Sequence, residues 1–287
     1  MKRIIFLLVV VMGSQWALGQ GGKVYDQLTL TSKILNGERN YAIYLPPDYE
    51  SSERSYPVLY LLNGAGDDHT GWVQFGEVKH IADKAIRKGT ATPMIIVMPD
   101  AQTGQRGYFN SIDGQFDYEN FFFEEFVPYI EKKYRIKGEK RYRAVSGLSM
   151  GGGGSLMYAL HHPEMFSSSA PLSAYVGPLS LEALTSYLNR DGDKKYSKEQ
   201  LQNYYRRHNA IELVKSMEAD DLNGIRWYID CGDDDFLYEG NSLLHIELMK
   251  KKIDHEYRVR DGGHTWTYWR ESLPEVLTFV SQAFHQY

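Results

Sequence analysis

From residue 58 onward, short apolar runs of strand length take turns with amphipathic stretches of helix length, and this alternation restricts the chain more than any other feature. Val58–Leu62 and residues 94–98, 142–145, 166–172, 227–229 and 257–259 read as buried strands, being nearly continuous in apolar residues. Between them, Val78–Arg87, 121–134, Met150–His161, 242–252 and 273–284 carry apolar residues at three- and four-residue spacing and read as helices. Strand and helix in turn require crossover connections. The predicted class is therefore α/β, with a mainly parallel central sheet and helices on both faces. At the front, residues 25–44 alternate polar and apolar side chains around Asn36-Gly37, a dipeptide preferred in tight turns, so an antiparallel pair should begin the sheet.

One stretch interrupts the rhythm. Residues 175–224 are polar, carry Tyr175, Tyr187, Tyr196, Tyr204 and Tyr205, and suggest two helices, over 181–188 and 198–217. Lying before the strand at 227–229, the stretch reads as a helical insertion over the carboxyl edge of the sheet, where open α/β sheets place their ligands. A lid is one reading and a solvated decoration the other.

Residues 1–19 stand apart from the fold. Lys2 and Arg3 precede an apolar run over 4–12, and Ala17-Leu18-Gly19 sets small residues around a larger one. This pattern predicts an export signal cut after Gly19 and a periplasmic or secreted location. The run is less than half of the roughly 20 residues a membrane span needs, so no membrane association is expected after cleavage. Residues 20–287 then remain, and with no Pro/Gly/Ser-rich linker they read as a single domain.

Formal net charge is −5 with scattered basic residues, which speaks against nucleic acid as a partner. A small neutral or acidic substrate, or a polysaccharide, fits better. Cys231 is the one cysteine, which rules out an internal disulfide or a thiolate metal cluster, and its apolar setting predicts simple packing. Neither the acidic run 233–235 nor Asp191-Gly192-Asp193 continues into the spacing of a calcium loop, so no metal is expected.

The chemistry is concentrated in Gly147-Leu148-Ser149-Met150-Gly151, a G-x-S-x-G pattern. Such a serine sits at the tip of a strained turn between strand and helix, and the glycines avoid collisions as the chain reverses. The strand at 142–145 and the helix Met150–His161 supply that setting. A phosphate cradle is the rival reading, but no Gly-Lys-Ser/Thr and no G-x-G-x-x-G with a downstream acid follows.

A serine hydroxyl needs a base during attack, and in this arrangement the order along the chain is serine, acid, histidine. Of the late histidines, His245 falls in a helix, His255 before a strand and His285 near the end, whereas His264 follows Asp261-Gly262-Gly263 directly after a strand. His264 is the candidate base. The acid belongs in the turn after the preceding strand, Gly232-Asp233-Asp234-Asp235, where residue types alone leave more than one carboxylate open. An oxyanion needs two backbone N–H donors: Met150 should supply one, and the loop Asn63-Gly64-Ala65-Gly66 the other, through Ala65.

Together, Leu61-Leu62-Asn63-Gly64, Trp72, Gly147-Leu148-Ser149-Met150-Gly151-Gly152, Cys231-Gly232 to Asp235 and Gly262-Gly263-His264 resemble the esterase D-like family, which includes feruloyl esterases and bacterial acetyl-xylan esterases. The likeness covers nearly the whole chain after residue 19. It implies the α/β-hydrolase fold, a serine esterase needing no cofactor, and a carboxylate third after the glycine, which favours Asp235 over Asp234. The family usually carries His before the oxyanion glycine, where this chain has Asn63.

For exported members the resemblance implies esterified plant polysaccharide as substrate, with feruloyl or acetyl esters on xylan as the leading pair. Tyr108, Phe109, Trp266 and Trp269 are candidates to stack a ferulate ring, with core packing as the competing account, and Trp72 is a further substrate-binding candidate. The same three catalytic candidates would also serve an acyltransferase, or an esterase for a siderophore or other small ester. A binding module descended from an inactive esterase is a different class, and the complete set of Ser149, Asp235 and His264 speaks against it.

Overall fold

In the computed structural model, which describes residues 21–101, 107–188 and 196–285, one eight-stranded sheet organises the chain. The strands are β1 (Lys23–Ser32), β2 (Gly37–Leu45), β3 (Val58–Leu62), β4 (Ile95–Pro99), β5 (Arg143–Leu148), β6 (Ser168–Leu172), β7 (Arg226–Gly232) and β8 (His255–Arg260), in the spatial order β1-β2-β4-β3-β5-β6-β7-β8. From β4 to β8 all neighbours are parallel, while β2 runs antiparallel to both β1 and β4. The fold is that of the α/β-hydrolases.

Asn36-Gly37 is used in a looser turn than a two-residue hairpin. Ser32 pairs with Gly37, so Gly37 already opens β2 while Asn36 closes the loop in the left-handed region at φ 50°. The Glu125 carboxylate fastens that loop, accepting from the Lys33 and Ile34 N–H groups at 3.0 and 3.2 Å.

The helices are α1 (Gly71–Gln74), α2 (Val78–Arg87), α3 (Tyr118–Asn120), α4 (Val127–Lys133), α5 (Met150–His161), α6 (Leu181–Leu188), α7 (Lys198–Arg207), α8 (Ala210–Ser216), α9 (Ala219–Asn223), α10 (Tyr238–Lys250) and α11 (Trp266–Phe284). Two cores lie against opposite faces of the sheet. Val58, Tyr60 and Leu62 of β3 point to one, with Phe122, Phe126, Leu156, Ile211 and Leu244. Leu59 and Leu61 point to the other, where Ile81 of α2 and Leu273, Val276 and Val280 of α11 cover them. Alternate residues of a buried strand face opposite sides, which is why these strands are apolar at every position.

Three expectations need correction. The strand at 257–259 is not buried: β8 is the sheet edge, paired with β7 alone among the described strands, and Val259 is 52% exposed there. The single helix expected over 198–217 is two, α7 and α8, because Asn209 turns to extended backbone (φ −120°, ψ 113°) and its side chain caps the new helix by accepting from Glu212 N–H at 2.9 Å. The stretch 121–134 starts earlier, at Tyr118, and runs through a π-helical segment at Phe121–Phe126 before α4. The candidate signal at 1–19 and Asp191-Gly192-Asp193 lie outside the described residues.

Candidate active site

The turn between β5 and α5 holds Ser149 at φ 55° and ψ −115°, a conformation that L-residues rarely adopt. Neighbouring backbone enforces it. A Cβ on Gly147 would come within 2.5 Å of Gly151 O, and one on Gly151 within 2.5 Å of both Leu62 O and Asn63 O. Ser149 N–H donates to Leu172 O at 2.9 Å, and Ser149 O accepts from Gly153 N–H at 2.9 Å and Tyr175 N–H at 3.1 Å. The hydroxyl is thereby held at the carboxyl edge of the sheet.

His264, on the loop after β8, brings Nε2 to 2.9 Å from Ser149 Oγ. Its Nδ1 lies 2.8 and 3.1 Å from the two Asp235 carboxylate oxygens. A carboxylate only accepts, so Nδ1 carries hydrogen and the neutral ring leaves the Nε2 lone pair facing the serine hydroxyl. Asp235 is fully buried, whereas Asp233 and Asp234 beside it are exposed. Burial by itself would raise the Asp235 pKa. The hydrogen bonds from His264, from Leu237 N–H at 2.8 Å and from the Ser173 hydroxyl outweigh it, and the carboxyl lies below its usual range.

The other late histidines are occupied elsewhere. His245 Nδ1 and His255 Nε2 share a hydrogen bond at 2.7 Å, and His285 Nε2 meets Thr92 Oγ1. Cys231 is buried, and loss of solvation pushes its thiol up to about 12, in keeping with a packing role.

The loop after β3 approaches the same serine. A Cβ on Gly64 would lie 3.6 Å from the Ser149 Cβ, and Ala65 is exposed at the loop tip. Among the described residues, no hydrogen-bond acceptor meets the N–H of Ala65 or of Met150, the first residue of α5. Two free amides beside one hydroxyl are what an oxyanion site requires.

The aromatic candidates divide. Trp72 and Tyr108 are fully buried: Trp72 Nε1 donates to Leu62 O at 2.9 Å, and the Tyr108 hydroxyl is taken up by Asn63. Neither ring has a free face for a substrate, which corrects their assignment as substrate-binding residues. Trp269 is also core, 5% exposed, with Nε1 donating to Ser173 Oγ at 3.0 Å and its ring edge-on to His264 at 4.8 Å. Trp266 and Phe109 stay partly exposed, with Trp266 5.9 Å from the exposed Phe75.

Two neighbours of the site escaped the sequence reading. Phe236 is 71% exposed, with its ring 4.4 Å from that of His264. Its place directly after Asp235 was the available signal. Ser173, left-handed at φ 45° and fully buried, links Trp269 to Asp235, and no sequence pattern marks it.

A family model described as "Putative esterase" matches residues 32–280. The chain belongs to the esterase family. Among curated proteins, an esterase of Mycobacterium tuberculosis is 30% identical over 253 residues, 78% of this chain and 52% of that one. The endo-1,4-beta-xylanase/feruloyl esterase of Xylanibacter ruminicola is 35% identical over 150 residues, 49% of this chain and 20% of its own length. The chain thus spans about half the length, or less, of these curated relatives. Among solved structures, a ferulic acid esterase is similar at 37% identity and a TM-score of 0.81, covering 92% of this chain and 99% of that one.

Proposed function

We propose that this chain is a serine carboxylic-ester hydrolase that works through an acyl-enzyme and releases feruloyl or acetyl groups from plant polysaccharide such as xylan. The observation that carries the reading is the unbroken line from Ser149 Oγ through the His264 ring to the buried Asp235 carboxylate. Ser149 Oγ attacks the ester carbonyl carbon while its proton passes to His264 Nε2. Asp235 stabilises the resulting imidazolium without taking the proton. The carbonyl oxygen becomes an oxyanion facing the amides of Ala65 and Met150. Collapse breaks the bond to the alcohol, which leaves with the proton from His264. Water then repeats the sequence on the acyl-enzyme, freeing the acid and Ser149.

An aromatic acyl group is favoured by the exposed ring of Phe236 against His264 and by Trp266 with Phe75 nearby. The similarity to a ferulic acid esterase points the same way. The test compares methyl ferulate with acetylated xylan as substrates of the purified protein. A preference for ferulate above about tenfold, roughly 1.4 kcal/mol in transition-state binding, is expected. Wild type and Ser149→Ala hydrolysing nitrophenyl acetate at one equal slow rate would sink the hydrolase reading and favour a binding module.

Residues 1–19 complete the proposal as an export signal. Mass spectrometry of protein recovered outside the cytoplasm is expected to find Gln20 at the N-terminus; a chain still beginning at Met1 would remove this part.

A further inference from the structure

The loop that faces Ser149 is held by two buried side chains, Asn63 and Tyr108, and what they do rests on the ester-hydrolase reading above. Asn63 is 1% exposed, yet every polar group on it is engaged. Its N–H donates to the Tyr108 hydroxyl at 2.8 Å, and its Oδ1 and backbone O lie 2.8 and 3.1 Å from that hydroxyl. Its Nδ2 donates twice, to Gly64 O at 3.0 Å and to Asp67 O at 2.8 Å.

The bond to Gly64 O has a directional consequence. Gly64 C=O and Ala65 N–H belong to one planar trans peptide unit, so they point in opposite directions. Drawing the carbonyl toward Nδ2 turns the Ala65 N–H away from Asn63. Tyr108 in turn is tied to the helix that begins with Met150: Tyr158 of α5 donates its hydroxyl to Tyr108 O at 2.7 Å, and the Tyr108 ring presses so close to Gly154 that a Cβ there would come within 2.8 Å. Both oxyanion donors are therefore referred to a single helix.

We propose that Asn63 and Tyr108 are paired positioning residues that clamp the loop 63–67 to α5 and aim the Ala65 amide at the oxyanion. An asparagine suits this task because one amide nitrogen supplies two hydrogens, enough for both loop carbonyls. A neutral histidine, the residue usual at this place in the family, carries a single ring N–H and could donate to only one of them.

The test measures nitrophenyl acetate hydrolysis by wild type, Tyr108→Phe, Asn63→Ala, the double variant and Asn63→His. Each single loss is expected to lower kcat about 10- to 100-fold with KM within about twofold, as for weakened oxyanion binding. The double variant should lose no more than the worse single one, since both remove one clamp. Asn63→His should recover part of the Asn63→Ala loss, and a trifluoromethyl ketone that forms a tetrahedral adduct should bind more weakly in step with kcat/KM. If Tyr108→Phe fails to fold, the two Asn63 variants carry the comparison. Unchanged kcat in the folded single variants, or losses that multiply in the double variant while KM rises alongside, would overturn the clamp. Activity that is Ser149-dependent yet indifferent to these changes defeats the clamp alone, whereas activity indifferent to Ser149→Ala defeats the hydrolase reading itself.

Discussion

At the scale of single residues, the site depends on which carboxylate of three faces inward. Asp235 N–H closes a turn onto Gly232 O at 3.3 Å, and that turn buries its side chain while Asp234 stays exposed. Replacing Asp235 by Asn would offer an amide N–H to His264 Nδ1 and favour the tautomer with hydrogen on Nε2, which cannot accept from Ser149. Steady-state kinetics of Asp235→Asn should show kcat reduced by about 10³ to 10⁴, a magnitude taken from serine protease triads. Asp234→Asn should stay within about twofold of wild type; equal losses in the two variants would contradict the assignment. Ser149 and His264 stand out in the sequence by motif and by position after a strand. Asp235 is set apart from Asp233 and Asp234 only by the family resemblance, because adjacent residues of one type differ physically only in where the folded turn points them. Tyr108 and Trp72 misled for a related reason: aromatic character says nothing about whether a ring ends against solvent or core.

At the scale of elements, residues 175–224 are fastened to α3 and α5 by a polar cluster around Glu119. His161, at the end of α5, donates from Nε2 to Arg207 O of α7 at 2.8 Å and meets Glu119 of α3 at 2.7 Å through Nδ1. His162 reaches the same Glu119 oxygen at 3.2 Å. Although burial would raise it, Glu119 is drawn down to about 2 by these two histidines, while burial pushes His208, stacked on Tyr204, down to about 4.

Both shifts make the fold sensitive to acid. Below about pH 6.5 the unfolded chain protonates His208 before the folded one does, so stability falls until pH passes about 4. Glu119 contributes stability above about pH 4.5 that is lost as pH falls toward 2. Each is worth at most about 3 kcal/mol. Thermal unfolding followed from pH 7 to pH 3 should show a falling Tm, with the upper part of the slope flattened in His208→Phe and the lower part in Glu119→Gln. Unaltered slopes in both variants would contradict the cluster's role. The break between α7 and α8 that places His208 here is foreshadowed only by Asn209, whose capping bond competes with a continuous helix.

At the scale of the whole molecule, one sheet is shared by two cores, so damage to either face should be felt throughout. Phe122 is fully buried, with its ring 4.5 Å from Tyr158 and 5.4 Å from Tyr60. Phe122→Ala should cost about 3 to 5 kcal/mol and lower Tm by roughly 6 to 20 °C. Calorimetry should record one cooperative transition in both proteins; two separable transitions would contradict a single domain.

What the order of residues determined by itself is the alternation of buried strand and amphipathic helix, and with it the parallel sheet, its two covered faces and the glycine-flanked serine turn. These follow from local periodicity and from backbone sterics, which act over a few residues. Tertiary packing alone set β8 as an exposed edge, closed Tyr108 onto Asn63 and left Phe236 open beside the base. Each of those depends on which distant surfaces come into contact, and burial and hydrogen-bond partners have no local signature until the chain has closed on itself.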